Sequence, residues 1–378
     1  LRWCAVINPP DWAYAAAMTT LPACSPTTIV GLLLRHEPPE AYDRAVAHSV
    51  ARSGRSRNGD APVVEMHDRC IANGIEVLTV RDSGFPPVLA GHPGPCGVLF
   101  RRGRVDAFGA RRVGIVGTRT PTPSGVYTAR EIAEGLSRAG VAVVSGLAKG
   151  IDGAAHDGVR AAFDGGSANH GRAIAVVGSG LDVVYPRANA ALWEWVANEG
   201  LLVSEYAPGV AAEPHHFPRR NRLIAALSEV LVVVESREKG GSMSTVREAI
   251  ERQRDVLAVP GSPRVASAAG TNLLIQQGCG IVTCARDVLS VLSIDHRYLD
   301  ESMHDARPVP DPRDVVVLEA CSHGPVTLDS LVVSTGRELA DLAVTLGRLE
   351  ATGWVMEESG WWEALLLRRG RHASDCIP

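Results

Sequence analysis

Between Arg111 and Leu292 the chain alternates short apolar runs with amphipathic stretches, and this alternation constrains the fold more than any other feature. Runs at 112–117, 141–146, 173–179, 201–206, 230–236, 256–261 and 281–283 are rich in Val, Ile, Ala and Leu, without polar alternation. They predict strands covered on both faces, as in a parallel sheet. Helices are predicted between them at 124–139, from a Ser124 N-cap to Gly140, and at 151–163, 187–198, 244–254 and 285–292. Gly200 and Gly278 stop neighbouring helices. The pattern describes an α/β chain built on a doubly wound, mostly parallel Rossmann-like sheet.

Such sheets bind ligands outside the carboxyl ends of their strands. Gly117-Thr118-Arg119, Gly146-Leu147-Ala148-Lys149-Gly150, Gly178-Ser179-Gly180, the stretch 208–222, Lys239-Gly240-Gly241-Ser242 and Gly261 all fall there, so they are expected to line one crevice. Glycines let backbone N–H groups approach an anion, and helix starts after Gly150 and Ser242 add positive dipole ends. Phe217-Pro218-Arg219-Arg220-Asn221-Arg222 reads as a phosphate-gripping loop opening a short apolar helix. Its aromatic, with His215 and His216 just before it, offers a stacking surface. The chain carries net charge −4 and pI near 6.3, so any polyanion site must be local. Its two lysines, Lys149 and Lys239, both lie in Gly-containing loops after predicted strands.

The flanks read differently. Residues 1–75 are expected to form a helical N-terminal domain, with helices at 12–21, 27–35, 39–53 and 63–73 and a polar link at 53–60. A strand at 76–80 and an irregular, Pro-rich connection lead into the central domain, 76–294. A Pro- and charge-rich linker, 295–312, precedes a module at 313–378 that reads as three helices and a hairpin, the outline of a winged helix. That module holds six arginines against ten carboxylates, and its third helix, 338–351, sets Glu338, Asp341 and Glu350 against Arg348. The sign is wrong for a duplex contact, so protein contact or regulation is expected of it.

No run approaches the roughly 20 apolar residues of a membrane span, and the first residues lack signal-peptide features. A cytoplasmic protein without membrane contact is expected. Cysteines 4, 24, 70, 96, 279, 284, 321 and 376 are dispersed, and read as free, mostly buried thiols. Gly178-Ser179-Gly180 lacks the third glycine of a dinucleotide fingerprint, and there is no Walker-type run, so no cofactor is expected. No carboxylate or cysteine spacing supports His215 and His216 as metal ligands. Asp152 and His156, one helical turn apart, read as orienting the Lys149 loop more readily than as an acid–base pair.

Val116-Gly117-Thr118-Arg119, Ser145-Gly146-Leu147-Ala148-Lys149-Gly150-Ile151-Asp152 with Ala155-His156, Gly178-Ser179-Gly180-Leu181-Asp182-Val183-Val184-Tyr185-Pro186, Phe217-Pro218-Arg219-Arg220-Asn221-Arg222 and Val259-Pro260-Gly261 with Gly270-Thr271-Asn272 resemble, in order, the motifs of the DNA-processing protein A (DprA/Smf) family. The resemblance implies single-stranded DNA binding, loading of the RecA recombinase in DNA uptake and recombination, a homodimer built through the Rossmann-like domain, and no catalytic cycle. It places DNA against Gly117, Thr118, Arg119, Lys149, Arg220, Asn221 and Arg222, and the strand-end reading adds Gly146, Gly150, Phe217, Gly240, Gly241 and Ser242 to the expected DNA-binding residues. One departure is Leu21-Pro22-Ala23-Cys24, which lacks the glycines of the family's Leu-Pro-Gly-Ile-Gly turn. The rival is an enzyme: Gly240-Gly241-Ser242-Met243-Ser244-Thr245-Val246-Arg247-Glu248 resembles a stretched phosphate loop of nucleoside-monophosphate phosphoribohydrolases, with Glu248 as the catalytic carboxylate. A pure adaptor protein is the third class.

Overall fold

The computed structural model describes residues 9–53, 61–91, 94–164, 170–294, 307–358 and 360–365. Cys4, Cys376, the polar link at 54–60, the linker at 295–306 and the tail from 366 lie outside the described residues. Two compact units divide the chain, 1–296 and 297–378. No helix among the described residues is long and apolar enough to cross a membrane.

The first unit opens with four helices, α1 (Asp11–Met18), α2 (Pro26–Leu33), α3 (Pro38–Ser53) and α4 (Ala61–Ala72). Ser25 caps α2 by accepting the Thr28 amide at 3.1 Å. Ala23, where the family's turn carries glycine, takes φ +57°. An L side chain there costs about 1–2 kcal/mol.

Nine strands form the sheet. They are β1 (Glu76–Thr79), β2 (Val98–Gly103), β3 (Arg112–Val116), β4 (Ala142–Ser145), β5 (Ala173–Val176), β6 (Leu201–Ser204), β7 (Val230–Val233), β8 (Asp255–Ala258) and β9 (Gly280–Ile281), in the order β1-β2-β6-β5-β4-β3-β7-β8-β9. The seven from β3 onward pair in parallel, whereas β2 joins β6 antiparallel, Phe100 opposite Ser204, and carries β1 outside it. β2 is an addition to the sequence reading. Arg101 and Arg102 mask it there, but Arg101 pairs with Glu76 of β1 at 2.7 Å and Arg102 with Glu194 at 3.3 Å.

Between the strands run α5 (Pro87–Ala90), α6 (Pro123–Arg138), α7 (Ile151–Asp164), α8 (Ala190–Glu199), α9 (His216–Leu227), α10 (Ser242–Glu251), α11 (Ala269–Gln276) and α12 (Ala285–Val291). Alternate strand residues Val116, Val144, Ile174, Val176, Val203, Leu231 and Val233 pack on Leu223, Ile224 and Leu227 of α9 and Val246 and Ala249 of α10. At roughly 25 cal/mol per Å² of apolar surface, such burial on both faces is the main force holding the layers. Two boundaries differ from the sequence reading. Thr122, not Ser124, caps α6, its Oγ1 accepting the Gly125 amide at 3.0 Å. α9 starts at His216, so the arginines expected in a loop stand on a helix. Pro218 tolerates this because it lies in the first turn, where amides lack helical partners.

The second unit holds α13 (Val315–Ser322), β10 (Val326–Thr327), α14 (Leu328–Thr335), α15 (Leu339–Ala351), β11 (Val355–Glu358) and β12 (Trp361–Ala364). The strands pair antiparallel in the order β10-β12-β11, over a core of Val317, Leu331, Leu342, Leu346 and Leu349. Cys70, Cys96 and Cys321 are buried, whereas Cys24, Cys279 and Cys284 are only half-buried, so the expectation of mostly buried thiols holds for half of those described.

Candidate functional site

The carboxyl ends of β3, β4 and β5 meet the start of α9, and here the sequence motifs divide into an inner and an outer set. The β3 and β4 loops are fused. Ile151 donates its amide to the Thr118 carbonyl at 3.2 Å, and Gly150, at φ +83°, runs so close that a Cβ would stand 2.4 Å from that same oxygen. Only glycine fits there. Glu235, at the end of β7, holds the β3 loop from the other side, accepting the Thr122 amide at 3.0 Å and its hydroxyl at 2.5 Å. Asn189 donates to the Leu147 and Ala148 carbonyls at 3.0 and 3.1 Å, and so pins the Lys149 loop.

Arg119 and Lys149 are the outer set. Both are exposed, and neither forms an ion pair among the described residues. The Arg119 guanidinium stands 4.8 Å over the half-buried Phe217 ring, which in turn lies 5.6 Å from the exposed Tyr185. A planar cation on an aromatic face, with its edge toward solvent, is a ready phosphate and base contact.

Arg220 and Arg222 are the inner set, and the structure corrects the expectation that they present charge to a ligand. Arg220 is 3% exposed and donates to the Val176 carbonyl at 2.6 Å. Burial, opposed by Asp152, pushes its pKa down to about 10, so it stays charged. A Cβ on Gly146 would stand 1.8 Å from its Nη1, so Gly146 is needed to seat this arginine, a role separate from any approach to an anion. Asp152 is buried too. Burial raises its pKa, while Arg220, Arg119 and the amides of Gly146 and Ala148 favour its charged form. His156 behind it is fully buried, and burial pushes its pKa down to about 3. This supports the orienting reading of the Asp152–His156 pair. Arg222 pairs with both oxygens of Glu205 and donates to the Gly94 carbonyl at 2.5 Å, its charge spent inside the fold. Burial raises the Glu205 pKa, and Arg222 opposes the rise.

Of the remaining predicted residues, Asn221 donates to Ser244 Oγ at 2.8 Å and ties α9 to the start of α10. Ser242 is buried and donates to Ser236 Oγ at 2.8 Å, while Gly240 closes the same turn through its amide on Arg237. Gly241 is exposed at the lip, and Gly117 packs against Ile151. Glu248, the carboxylate the hydrolase reading requires, is held by Arg252 at 2.6 Å one turn along α10. Tyr185, which the sequence reading holds only as part of a motif, extends the aromatic surface, and Glu213, which it missed, lies beside His215 and His216, correcting the statement that no carboxylate converges on them. Glu213 is two residues from His215, a spacing whose geometry depends on the turn at Pro214 and so is silent in the sequence.

Residues 76–293 match the family model for DNA recombination-mediator protein A. Protein Smf of Synechocystis sp. is 34% identical over 320 residues, 75% of this chain and 79% of that protein. DNA processing protein A from Streptococcus pneumoniae superposes with a TM-score of 0.59 at 31% identity, covering 74% of this chain and 97% of that one. Its counterpart from Helicobacter pylori, a structure described as giving insight into that protein's single-stranded DNA binding mode, superposes with a TM-score of 0.50 at 27% identity over 58% of this chain and 95% of that one. With the sheet, its strand-end motifs and these likenesses in agreement, the chain belongs to the DNA recombination-mediator protein A family.

Proposed function

We propose that this chain binds single-stranded DNA in the crevice between the β3 and β4 loops and the first turn of α9, and hands the strand to the RecA recombinase. The observation that carries the reading is the outer pair, Arg119 and Lys149, exposed and without ion-pair partners among the described residues, with Arg119 lying over the Phe217 ring. The two cations grip successive phosphates, and Phe217 with Tyr185 stacks bases that a duplex keeps paired. Arg220, Asp152 and Gly146 form the floor that holds this rim in place. The preference is for backbone and stacking, so sequence specificity is slight. The chain acts as a homodimer through the sheet-bearing unit, in the cytoplasm. Two modest sites on one particle raise avidity when a strand reaches both.

Titration of oligothymidylates of increasing length, with light scattering on the same samples, tests the reading. Affinity that rises with strand length, a dimeric mass and weak binding to duplex are expected. Equal affinity for duplex and single strand would remove the stacking rim from the mechanism.

A further inference from the structure

Beside the DNA crevice, at the entrance to α9, the chain folds a tight turn over Glu213, Pro214, His215 and His216. The His216 amide donates to the Glu213 carbonyl at 2.9 Å, and Pro214 occupies the position whose φ it presets. The turn brings the Glu213 carboxylate to 3.3 Å from His215 Nδ1, and one ligand-capable atom from each of Glu213, His215 and His216 lies within 4.8 Å of the other two. Two ligand atoms on a tetrahedral zinc ion, each about 2.0–2.1 Å from it, stand roughly 3.3–3.4 Å apart. The first pair already has that spacing.

His216 is built differently from its neighbour. It is buried, its ring stacks 3.9 Å from Tyr206, and its Nδ1 faces the Gly178 carbonyl at 2.9 Å. A ring nitrogen against a carbonyl carries the proton, which leaves Nε2 with its lone pair for a ligand. Metal-bound histidines are oriented by such a carbonyl contact on the other nitrogen. His215 and Glu213, with side chains 60% and 58% exposed, leave the approach open.

We propose that Glu213, His215 and His216 hold one divalent ion of the zinc type, with two imidazoles and a carboxylate as ligands and a fourth position left open. Two imidazoles and one carboxylate suit zinc better than magnesium or calcium, which take oxygen ligands. Phe217 follows the last ligand directly and carries Arg119 on its face, so the ion adds positive charge at the crevice mouth. Resting on the single-stranded DNA reading, the open position takes a phosphate oxygen of the bound strand.

The full chain, stripped with a chelator, is titrated with cobalt(II) chloride as a visible stand-in and then with competing zinc chloride. One equivalent is expected, with d–d bands and without thiolate charge transfer. His215→Ala and Glu213→Gln, both at exposed positions, are each expected to weaken binding about tenfold or more. Thiolate bands, no saturable binding, or affinity unchanged in both variants would overturn the site. With an oligothymidylate present, zinc and strand are expected to tighten each other by the same factor, and His215→Ala to remove that coupling. A strand that binds without coupling takes the phosphate out of the fourth position. A strand that fails to bind at all overturns the DNA reading while the cobalt spectrum still decides the metal site.

Discussion

The strand-end rim of the sheet-bearing unit and the second unit handle their cations in opposite ways. In the first, Arg119 and Lys149 are left without ion-pair partners among the described residues at the ends of neighbouring strands. In the second, Arg313 pairs with Asp311 at 2.7 Å, Arg337 with Asp341 at 3.2 Å and Arg348 with the buried Asp314 at 2.6 Å. α15 meanwhile turns Leu339 and Val344 to solvent, 54% and 59% exposed. Arginine makes up a similar share of both units. What separates them is whether a carboxylate of the same unit has already claimed the charge, since a cation can release counterions from a polyanion only while it is unclaimed.

The same contrast runs within the first unit, between inner and outer cations, and the largest effect is expected where it is sharpest. Arg220→Ala should lower unfolding free energy by about 3 kcal/mol, because it leaves Asp152 charged and buried without its opposing cation. Urea unfolding measures it, and a loss below about 0.5 kcal/mol would erase the distinction between the two sets. Arg119→Ala or Lys149→Ala should instead leave stability unchanged within that margin and weaken oligothymidylate binding about tenfold, the loss of one charge-assisted contact. Each should also flatten the salt dependence by roughly 0.7 in log–log slope, whereas Arg222→Ala should not, its charge being held by Glu205. A flattened slope for Arg222→Ala would return that residue to the ligand.

The buried imidazole supplies a test in pH. With a folded pKa near 3, His156 stays neutral while the unfolded chain takes a proton below the ordinary histidine value, so its contribution is complete above about pH 6.5 and is lost on acidification. The raised carboxyls of Asp152 and Glu205 act in the opposite sense, holding protons more tightly when folded. The difference between wild type and His156→Gln isolates the imidazole. It should change by on the order of 1 kcal/mol per pH unit between about pH 4 and 6, and parallel stability curves would count against a neutral buried ring. Smallest of all, deleting 313–378 should keep strand affinity within about threefold, under roughly 0.7 kcal/mol. Micromolar binding of duplex DNA by the second unit at low salt would erase the contrast between claimed and unclaimed cations.

Much of the frame could be read from residue order. The seven parallel strands announce themselves because both their faces are covered, and their Gly-rich ends locate the crevice. β2 was silent, since an edge-side arginine satisfied across strands looks, in sequence, like a charge cluster in a loop. Direction was silent too. Arg219, Arg220 and Arg222 are the same residue type within four positions, yet helical phase turns the first outward and the other two onto Val176 and Glu205. Glycines mislead in the same way: Gly146 matches a phosphate-cradle pattern, while the atom it must avoid is Nη1 of Arg220.

The antiparallel pairing of β2 with β6 carries a consequence for how the chain comes off the ribosome. Phe100 must wait for Ser204, so the edge of the sheet nearest the four opening helices closes only after roughly a hundred further residues have been made, a long-range contact of the kind that slows folding. Until then β2 offers an unpaired apolar edge, Val98-Leu99-Phe100, to any strand nearby. Arg101 and Arg102, in the same strand, place charge directly beside that apolar run, the arrangement that guards an exposed edge against aggregation.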